Sequence, residues 1–192
     1  MIKKFGKFNT VSNYLSLSRL LVIMPIVYFI GKFDQGYEYR IYVLLFMLFG
    51  YITDILDGFF ARKFNQVTEW GKIIDPFADK LAIILVVIKL YDAGYINDFY
   101  FWLVVLRDTI IFIGGIIVSN IIGKVLPSNL LGKATVLTIG LYLIGIVSNV
   151  ESIPWLHDFL YYTSVIFSFG SIIGYTIRGI ESVRWYTKNE TL

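Results

Sequence analysis

The stretch DILDGFFARKFNQVTEWGKIIDPFADK, residues 54–80, places four aspartates within 26 residues, between long apolar runs of sequence. The aspartates are Asp54, Asp57, Asp75 and Asp79. Long apolar runs are typical of membrane-spanning helices, and an aspartate at the centre of such a helix costs about 2.5–3.5 kcal/mol on insertion scales. We therefore expect the four carboxylates to line a polar cavity, where positive charge brought by a ligand compensates their repulsion.

The composition of the whole chain is that of a membrane protein. Its 192 residues are 57% hydrophobic and 16% charged, with a mean hydropathy of +0.69. Soluble domains carry about a quarter charged residues. Cysteine is absent from the sequence, which excludes a disulfide framework and a zinc–thiolate site. We predict an all-α integral membrane protein that forms a single domain over residues 1–192.

The apolar runs predict six transmembrane helices. They are expected near residues 17–31, 39–61, 73–91, 99–122, 133–149 and 155–179. The segment before the first run mixes Lys3, Lys4 and Lys7 with aromatic and aliphatic residues. This mixture predicts a short N-terminal amphipathic juxtamembrane segment, with a flexible basic tail as the alternative.

The distribution of lysine and arginine predicts the orientation in the membrane. If the N-terminus faces the cytoplasm, the outer loops hold Lys32, Arg40 and Lys89, and the other 14 of the 17 basic residues lie on the inner side or near it. Both termini, the connection 62–72 and the aspartate cluster are therefore expected on the cytoplasmic side.

The four aspartates belong to two helical faces. The first face carries, at positions i, i+3, i+4 and i+7, the residues Asp54, Asp57, Gly58 and Ala61. The second face carries, at positions i, i+4 and i+8, the residues Gly71, Asp75 and Asp79. A short polar connection joins the two helices, so we expect them to pack antiparallel and the two carboxylate pairs to converge.

Carboxylates without histidine or cysteine nearby indicate a hard divalent cation, such as Mg²⁺ or Mn²⁺. Magnesium in proteins usually bridges carboxylates and substrate phosphates. The cluster therefore predicts chemistry on a diphosphate, with one carboxylate left as general base for an incoming hydroxyl. Helix capping or loop solvation could explain Asp54 or Asp75 alone, but not four carboxylates on two faces. Arg62 has the fork of donors that suits a phosphate.

The pattern Asp54-x-x-Asp57-Gly58-x-x-Ala61-Arg62, followed after eight residues by Gly71-x-x-x-Asp75-x-x-x-Asp79, resembles the motif of the CDP-alcohol phosphotransferases. The resemblance implies that an acceptor hydroxyl attacks the phosphorus that bears the alcohol of a CDP-alcohol, and that CMP leaves. It implies a metal site for two divalent ions, formed by Asp54, Asp57, Asp75 and Asp79. It implies that Asp79 also acts as the base. It implies a cytidine nucleotide site formed by Gly58, Ala61, Arg62 and Gly71.

The stretch SNYLSLSRLLVIMPI, residues 12–26, is similar to the N-terminal part of two bacterial branches of that family, the phosphatidylglycerophosphate synthases and the cardiolipin synthases. Residues 66–81 also look like these branches. The similarity implies CDP-diacylglycerol as the donor and a prokaryotic cytoplasmic membrane as the location. The resemblance alone leads us to expect a homodimer.

Two further basic residues favour a phosphorylated acceptor. Arg107 falls within the fourth predicted span or at its inner end, and Lys133 opens the fifth span. Both are expected to reach one inner vestibule and to bind the acceptor phosphate there. Glycerol 3-phosphate fits this site. The pair Arg107-Asp108 is also similar to the cardiolipin synthases, so phosphatidylglycerol is the first alternative acceptor, followed by inositol phosphate or another small alcohol.

Two functions other than an enzyme remain open at this point. Acidic residues inside spans can mark an ion path, so the chain could be a divalent-cation transporter. A non-catalytic scaffold would leave the cost of the aspartates unexplained. As partners we expect CDP-diacylglycerol, a small phosphorylated alcohol and the lipid bilayer, and no nucleic acid.

Overall fold

The computed structural model describes the backbone of residues 11–63, 71–123 and 129–190, and the side chains of 21–53, 55–56, 80–123 and 129–188. Six α-helices make up this part of the chain. They are α1 Val11–Ile30, α2 Glu38–Lys63, α3 Gly71–Asp92, α4 Asp98–Ile122, α5 Leu130–Val147 and α6 Pro154–Glu190. Short 3₁₀ turns at Phe33–Gln35 and Val150–Ser152 complete the described elements. The prediction of an all-α protein with six helices is confirmed.

Three of these helices are long and apolar enough to cross a membrane, within the residues that the structure describes. They are Asp98–Ile122, Leu130–Val147 and Pro154–Lys188, with mean hydropathies of 2.1, 1.9 and 1.3. Leu21–Ile30 is a shorter apolar stretch within α1. Membrane insertion of the second half of the chain is therefore supported by length and composition, and spans formed by α1, α2 and α3 stay a prediction.

The start of α1 includes part of the predicted N-terminal amphipathic segment. Residues 1–10 of the predicted amphipathic segment lie outside the described residues. From Val11 onward the backbone is already helical and continues without a break to Ile30. The described part of that segment is therefore the first half of α1, and its amphipathic, juxtamembrane character stays a prediction.

The chain divides into two compact units, Met1–Ile96 and Asn97–Leu192. In the first unit, α1 packs against both α2 and α3. The buried apolar residues of this unit are Ile23, Ile26, Ile30, Phe33, Val43, Val86, Val87, Leu90 and Ile96. The single domain over residues 1–192 stays a prediction.

Contacts along α1 give the direction of its two neighbours. On α2, the ring of Phe46 lies 6.0 Å from that of Phe29, and a Cβ built on Gly50 would lie 3.9 Å from Val22. The contact further along α1 is with the residue closer to the start of α2, so α1 and α2 are antiparallel. On α3, Lys89 Cε lies 3.2 Å from a Cβ built on Gly31, so the C-terminal ends of α1 and α3 meet and the two helices run parallel. Helices α2 and α3 therefore run in opposite directions, and their predicted packing against each other stays a prediction.

In the second unit, α6 packs against both α4 and α5. Asn97 Nδ2 donates to Tyr161 Oη at 3.3 Å, and Arg107 Nε donates to Ser171 Oγ at 3.0 Å, so α4 and α6 run parallel. Helix α5 runs the other way, because its start at Gly132 meets Tyr175 and its end at Gly145 meets Leu160. The end of α5 and the start of α6 thus lie together, as do the start of α5 and the middle of α6.

The close packing of α5 on α6 gives a stability prediction at Gly145. A Cβ there would lie 2.9 Å from Leu160 Cδ1 and 3.1 Å from Cγ1 of Val150, whose branched side chain is stiff. We expect Gly145→Ala to destabilise the protein by about 1–3 kcal/mol through overpacking. The measurement is the thermal unfolding midpoint of the purified protein in detergent.

Gly140→Ala is the matched control on the same helix. A Cβ at Gly140 meets nothing within 4 Å, and alanine favours helix by up to about 1 kcal/mol over glycine. The control is expected to unfold at the same temperature as the wild type or at a higher one. Equal midpoints for the Gly145 and Gly140 variants would contradict the packing described here.

Candidate active site

The aspartate motif occupies the C-terminal end of α2 and the N-terminal end of α3. Asp54 and Asp57 lie on α2, and Asp75 and Asp79 lie on α3. The predicted nucleotide contacts Gly58, Ala61, Arg62 and Gly71 lie on the same two helix ends. The side chains of all these residues lie outside the described residues, so their contacts stay predictions.

The backbone of the two helices can still be compared along α1, which contacts both. An α-helix rises about 1.5 Å per residue. Gly50 of α2 lies beside Val22 of α1, and the two helices are antiparallel. Along the axis of α1, Asp54 is therefore at about the height of residue 18, and Asp57 at about the height of residue 15. Lys89 of α3 lies beside Gly31, and α1 and α3 are parallel. Asp75 is therefore at about the height of residue 17 of α1, and Asp79 at about the height of residue 21.

All four aspartates therefore fall within about 9 Å along the axis of α1. This register is compatible with the predicted convergence of the two pairs, which stays a prediction. Four carboxylates offer oxygen donors alone, which fits Mg²⁺ or Mn²⁺ and does not fit zinc. Among the residues whose side chains are described, which do not include these four aspartates, no group of three or more acidic, histidine or cysteine residues lies together.

Arg107 is the tenth residue of α4, and its side chain is buried at 5% exposure. It lies inside the helix, and not at the inner end that the sequence left open. Nε donates to Ser171 Oγ at 3.0 Å, and Nη1 donates to the carboxylate of Asp108. Nη2 has no hydrogen-bond partner among the described side chains. A buried guanidinium with unused donors is suited to an anionic ligand.

Lys133 lies in the first turn of α5 and is exposed. The helix begins after Asn129, whose side-chain oxygen accepts a hydrogen bond from the backbone N–H of Gly132 at 2.6 Å. The first turn of a helix presents free N–H groups and the positive end of the helix dipole. The cationic side chain of Lys133 therefore adds to a positive potential that the backbone already supplies.

Helix α6 brings Arg107 and the start of α5 close together. Ser171 binds Arg107, and Tyr175, one turn further along α6, lies against Gly132. Four residues of helix correspond to about 6 Å. A Cβ built on Gly132 would lie 2.5 Å from the Tyr175 hydroxyl and 2.8 Å from its ring, so a residue without a side chain is required for this approach.

Asn129, Ser171 and Tyr175 were not among the predicted site residues. The sequence contains a pattern that could have pointed to Ser171 and Tyr175. Polar residues follow each other at i, i+4, i+7 and i+11 on one face of α6, and they are Ser164, Ser168, Ser171 and Tyr175. The three serines are fully buried. A polar stripe within an apolar helix marks the face that packs against the rest of its unit.

Comparison with known proteins gives the family. The sequence model described as CDP-alcohol phosphatidyltransferase matches residues 9–170, which is most of the chain. The chain belongs to this family. The match includes the aspartate motif, Arg107 and Lys133, and it extends over both compact units. The resemblance seen in the motif is thereby confirmed, and the chain is an enzyme of the CDP-alcohol phosphatidyltransferase type.

Several relatives of this phosphatidyltransferase carry one name, CDP-diacylglycerol–glycerol-3-phosphate 3-phosphatidyltransferase. The protein of that name from Aquifex aeolicus is 34% identical over 179 residues, which cover 90% of this chain and 97% of the relative. One from Mycoplasma genitalium is 28% identical over 219 aligned positions, covering 97% of this chain and 91% of the relative. One from Rickettsia felis is 36% identical over 103 residues, about half of each chain.

Proposed function

We propose that this enzyme is a CDP-diacylglycerol–glycerol-3-phosphate 3-phosphatidyltransferase, which makes phosphatidylglycerol phosphate and CMP. The observation that carries the proposal is the similarity to relatives of this name over nearly the whole chain, at 34% identity for the protein from Aquifex aeolicus. The family favours an enzyme over the cation transporter and the scaffold. The shared name favours glycerol 3-phosphate over phosphatidylglycerol and inositol phosphate as acceptor.

The donor end of the site is assigned to α2 and α3. Asp54, Asp57, Asp75 and Asp79 would hold two Mg²⁺ or Mn²⁺ ions, which supply positive charge to the diphosphate of CDP-diacylglycerol. The common level of the four residues along α1 supports this assignment. Gly58, Ala61 and Gly71 are small residues that would leave space beside the helix backbones for the cytidine nucleotide, and Arg62 would donate to its phosphate.

The reaction needs a base for the acceptor hydroxyl. Asp79 would take the proton as the hydroxyl oxygen attacks the phosphorus that bears the diacylglycerol. A new phosphorus–oxygen bond forms, the bond to the CMP oxygen breaks, and CMP leaves with the electron pair. The carboxylate of Asp79 thus serves both the metal site and the proton transfer.

Binding of the acceptor phosphate is assigned to residues of the second unit. Arg107 and Lys133 would bind the phosphate of glycerol 3-phosphate, since Arg107 has unused donors and Lys133 lies at the positive end of α5. The Tyr175 hydroxyl lies beside that helix start and can donate to the same anion. Asp108 offsets part of the positive charge near Arg107. The two cationic residues and the one carboxylate together leave a net positive charge for the acceptor phosphate.

The proposed location is the cytoplasmic membrane of a prokaryote, with six spans and with both termini and the site on the cytoplasmic side. The three span candidates in α4, α5 and α6 support a membrane location. The excess of lysine and arginine at the predicted inner side supports the orientation. A homodimer remains an expectation from the family.

An acceptor panel tests the proposed function. Purified protein is given CDP-diacylglycerol, Mg²⁺ or Mn²⁺, and one of glycerol 3-phosphate, phosphatidylglycerol or inositol phosphate. We expect CMP release with glycerol 3-phosphate, loss of the activity with EDTA, and strongly reduced activity in the Asp54→Asn variant, because a neutral amide oxygen binds a divalent cation more weakly than a carboxylate does. CMP release with phosphatidylglycerol alone would reassign the acceptor. No CMP with any acceptor, and no difference between Asp54→Asn and the wild type, would refute the enzyme.

A further inference from the structure

Three serines on α6 lie in the same buried stripe but differ in what their hydroxyls bind. Ser164 Oγ donates to the carbonyl of Tyr161 at 2.8 Å, and Ser168 Oγ donates to the carbonyl of Ser164 at 2.7 Å. Both bonds stay within α6. Ser171 Oγ donates to the carbonyl of Ser168 at 2.9 Å and also accepts from Arg107 Nε of α4 at 3.0 Å. Of the three, Ser171 is therefore the one that holds a charged side chain of another helix in the described unit.

The two bonds of Arg107 fix the orientation of its guanidinium plane. A planar guanidinium has five N–H donors in a rigid fork. With Nε held by Ser171 and Nη1 held by Asp108, the position of Nη2 is determined. The remaining donors are available to a ligand, because Nη2 has no partner among the described side chains.

The two partners of Arg107 differ in charge. Asp108 is a carboxylate, so it orients the guanidinium and also offsets its charge. Ser171 is a neutral acceptor, and its hydroxyl hydrogen is already committed to the Ser168 carbonyl. It therefore orients Arg107 through a lone pair without reducing the charge that an anion would meet.

We propose that Ser171 is a positioning residue for the acceptor phosphate: its hydroxyl holds Arg107 so that Nη2 points to that phosphate. The inference rests on the proposed function, since it takes Arg107 as part of the acceptor site. Ser171 does not touch the reacting atoms in this assignment. Its effect is on the affinity for the phosphorylated acceptor.

The test compares variants at two buried serines of α6. Ser171→Ala removes the acceptor of the Arg107 bond. Ser171→Thr keeps a hydroxyl, and Ser171→Cys keeps the volume with a weaker acceptor. Ser168→Ala is the matched control, because Ser168 is equally buried and its hydroxyl bonds within α6. For each variant we measure kcat, the KM values for glycerol 3-phosphate and CDP-diacylglycerol, inhibition by inorganic phosphate, and the thermal unfolding midpoint.

We expect Ser171→Ala to raise the KM for glycerol 3-phosphate about tenfold, the effect of one hydrogen bond, and to weaken inhibition by inorganic phosphate to a similar extent. The KM for CDP-diacylglycerol and kcat should stay within about twofold of the wild type. Ser171→Thr should restore the acceptor KM, and Ser171→Cys should give an intermediate value. Ser168→Ala should leave both KM values unchanged.

Three results would overturn the inference. One is an unchanged acceptor KM in Ser171→Ala or, if that variant does not fold, in Ser171→Cys. The second is an equal rise of both KM values. The third is the same rise in Ser168→Ala, which would indicate a general effect on packing. A wild type that releases no CMP with glycerol 3-phosphate refutes the proposed function instead, so the two failures are distinguishable.

Discussion

Replacing Asp79 with asparagine is expected to lower kcat by about 10²–10⁴-fold, the range that general base catalysis contributes. The amide has nearly the same shape as the carboxylate, but it cannot accept the proton of the acceptor hydroxyl. Its remaining carbonyl oxygen can still serve as a metal ligand, so binding of metal and nucleotide should persist in part. The measurements are kcat for CMP release and equilibrium binding of CDP-diacylglycerol with Mg²⁺.

Asp92→Asn is the control for this variant on the same helix. Asp92 lies at the other end of α3, is exposed, and forms an ion pair with Lys89 at 2.6 Å. Its replacement removes one carboxylate from α3 without touching the motif, so kcat should stay at the wild-type value. If Asp79→Asn lost nucleotide binding completely, Asp79 would be chiefly a metal ligand, and another base would have to be sought.

Replacing Arg107 with glutamine is expected to raise the KM for glycerol 3-phosphate about 100-fold and to spare the KM for CDP-diacylglycerol. A hydrogen bond to a charged group contributes about 1.5–3 kcal/mol, and a tenfold change in affinity corresponds to about 1.4 kcal/mol. Arg107 is buried, so its interaction with the phosphate is little screened by salt. Steady-state kinetics with each substrate varied in turn gives the two KM values.

Lys133→Gln provides the comparison for Arg107→Gln. Lys133 is exposed, so its contribution should be smaller and should shrink as the salt concentration rises. The effect of Arg107→Gln should persist at high salt. Equal changes in both KM values for either variant would count against an acceptor site at that residue.

The helices were largely predictable because apolar runs define where a chain can cross a membrane. Helices α3 and α4 begin and end within two residues of the predicted runs. The sequence placed the end of α6 near residue 179, whereas the helix continues to Glu190. The last turns, with the sequence ESVRWYTKNE, are polar, so a search for apolar runs stops before them although the backbone remains helical.

The candidate site residues were chosen from the sequence by charge and spacing, and their assignment stays a prediction. The four aspartates, Arg107 and Lys133 stand out in an apolar sequence because charges inside a membrane are costly. Ser171 did not stand out, since serine is common in membrane helices and costs little there. Its role depends on which face of α6 meets Arg107, and that pairing is a property of packing between two residues that are 64 positions apart in the sequence.

The position of Asp108 next to Arg107 has a consequence for the synthesis of the protein. Ser171 is translated 64 residues after Arg107, which takes about 3–13 s at about 5–20 residues per second. Throughout that time, the emerging α4 holds a guanidinium that has no serine partner. Asp108 lies next to Arg107 in the same helix, so it is the partner that is available from the start. The Arg107–Asp108 pair therefore has no net charge before Ser171 has been synthesised, and the hydrogen bond from Arg107 to Ser171 can form only afterwards.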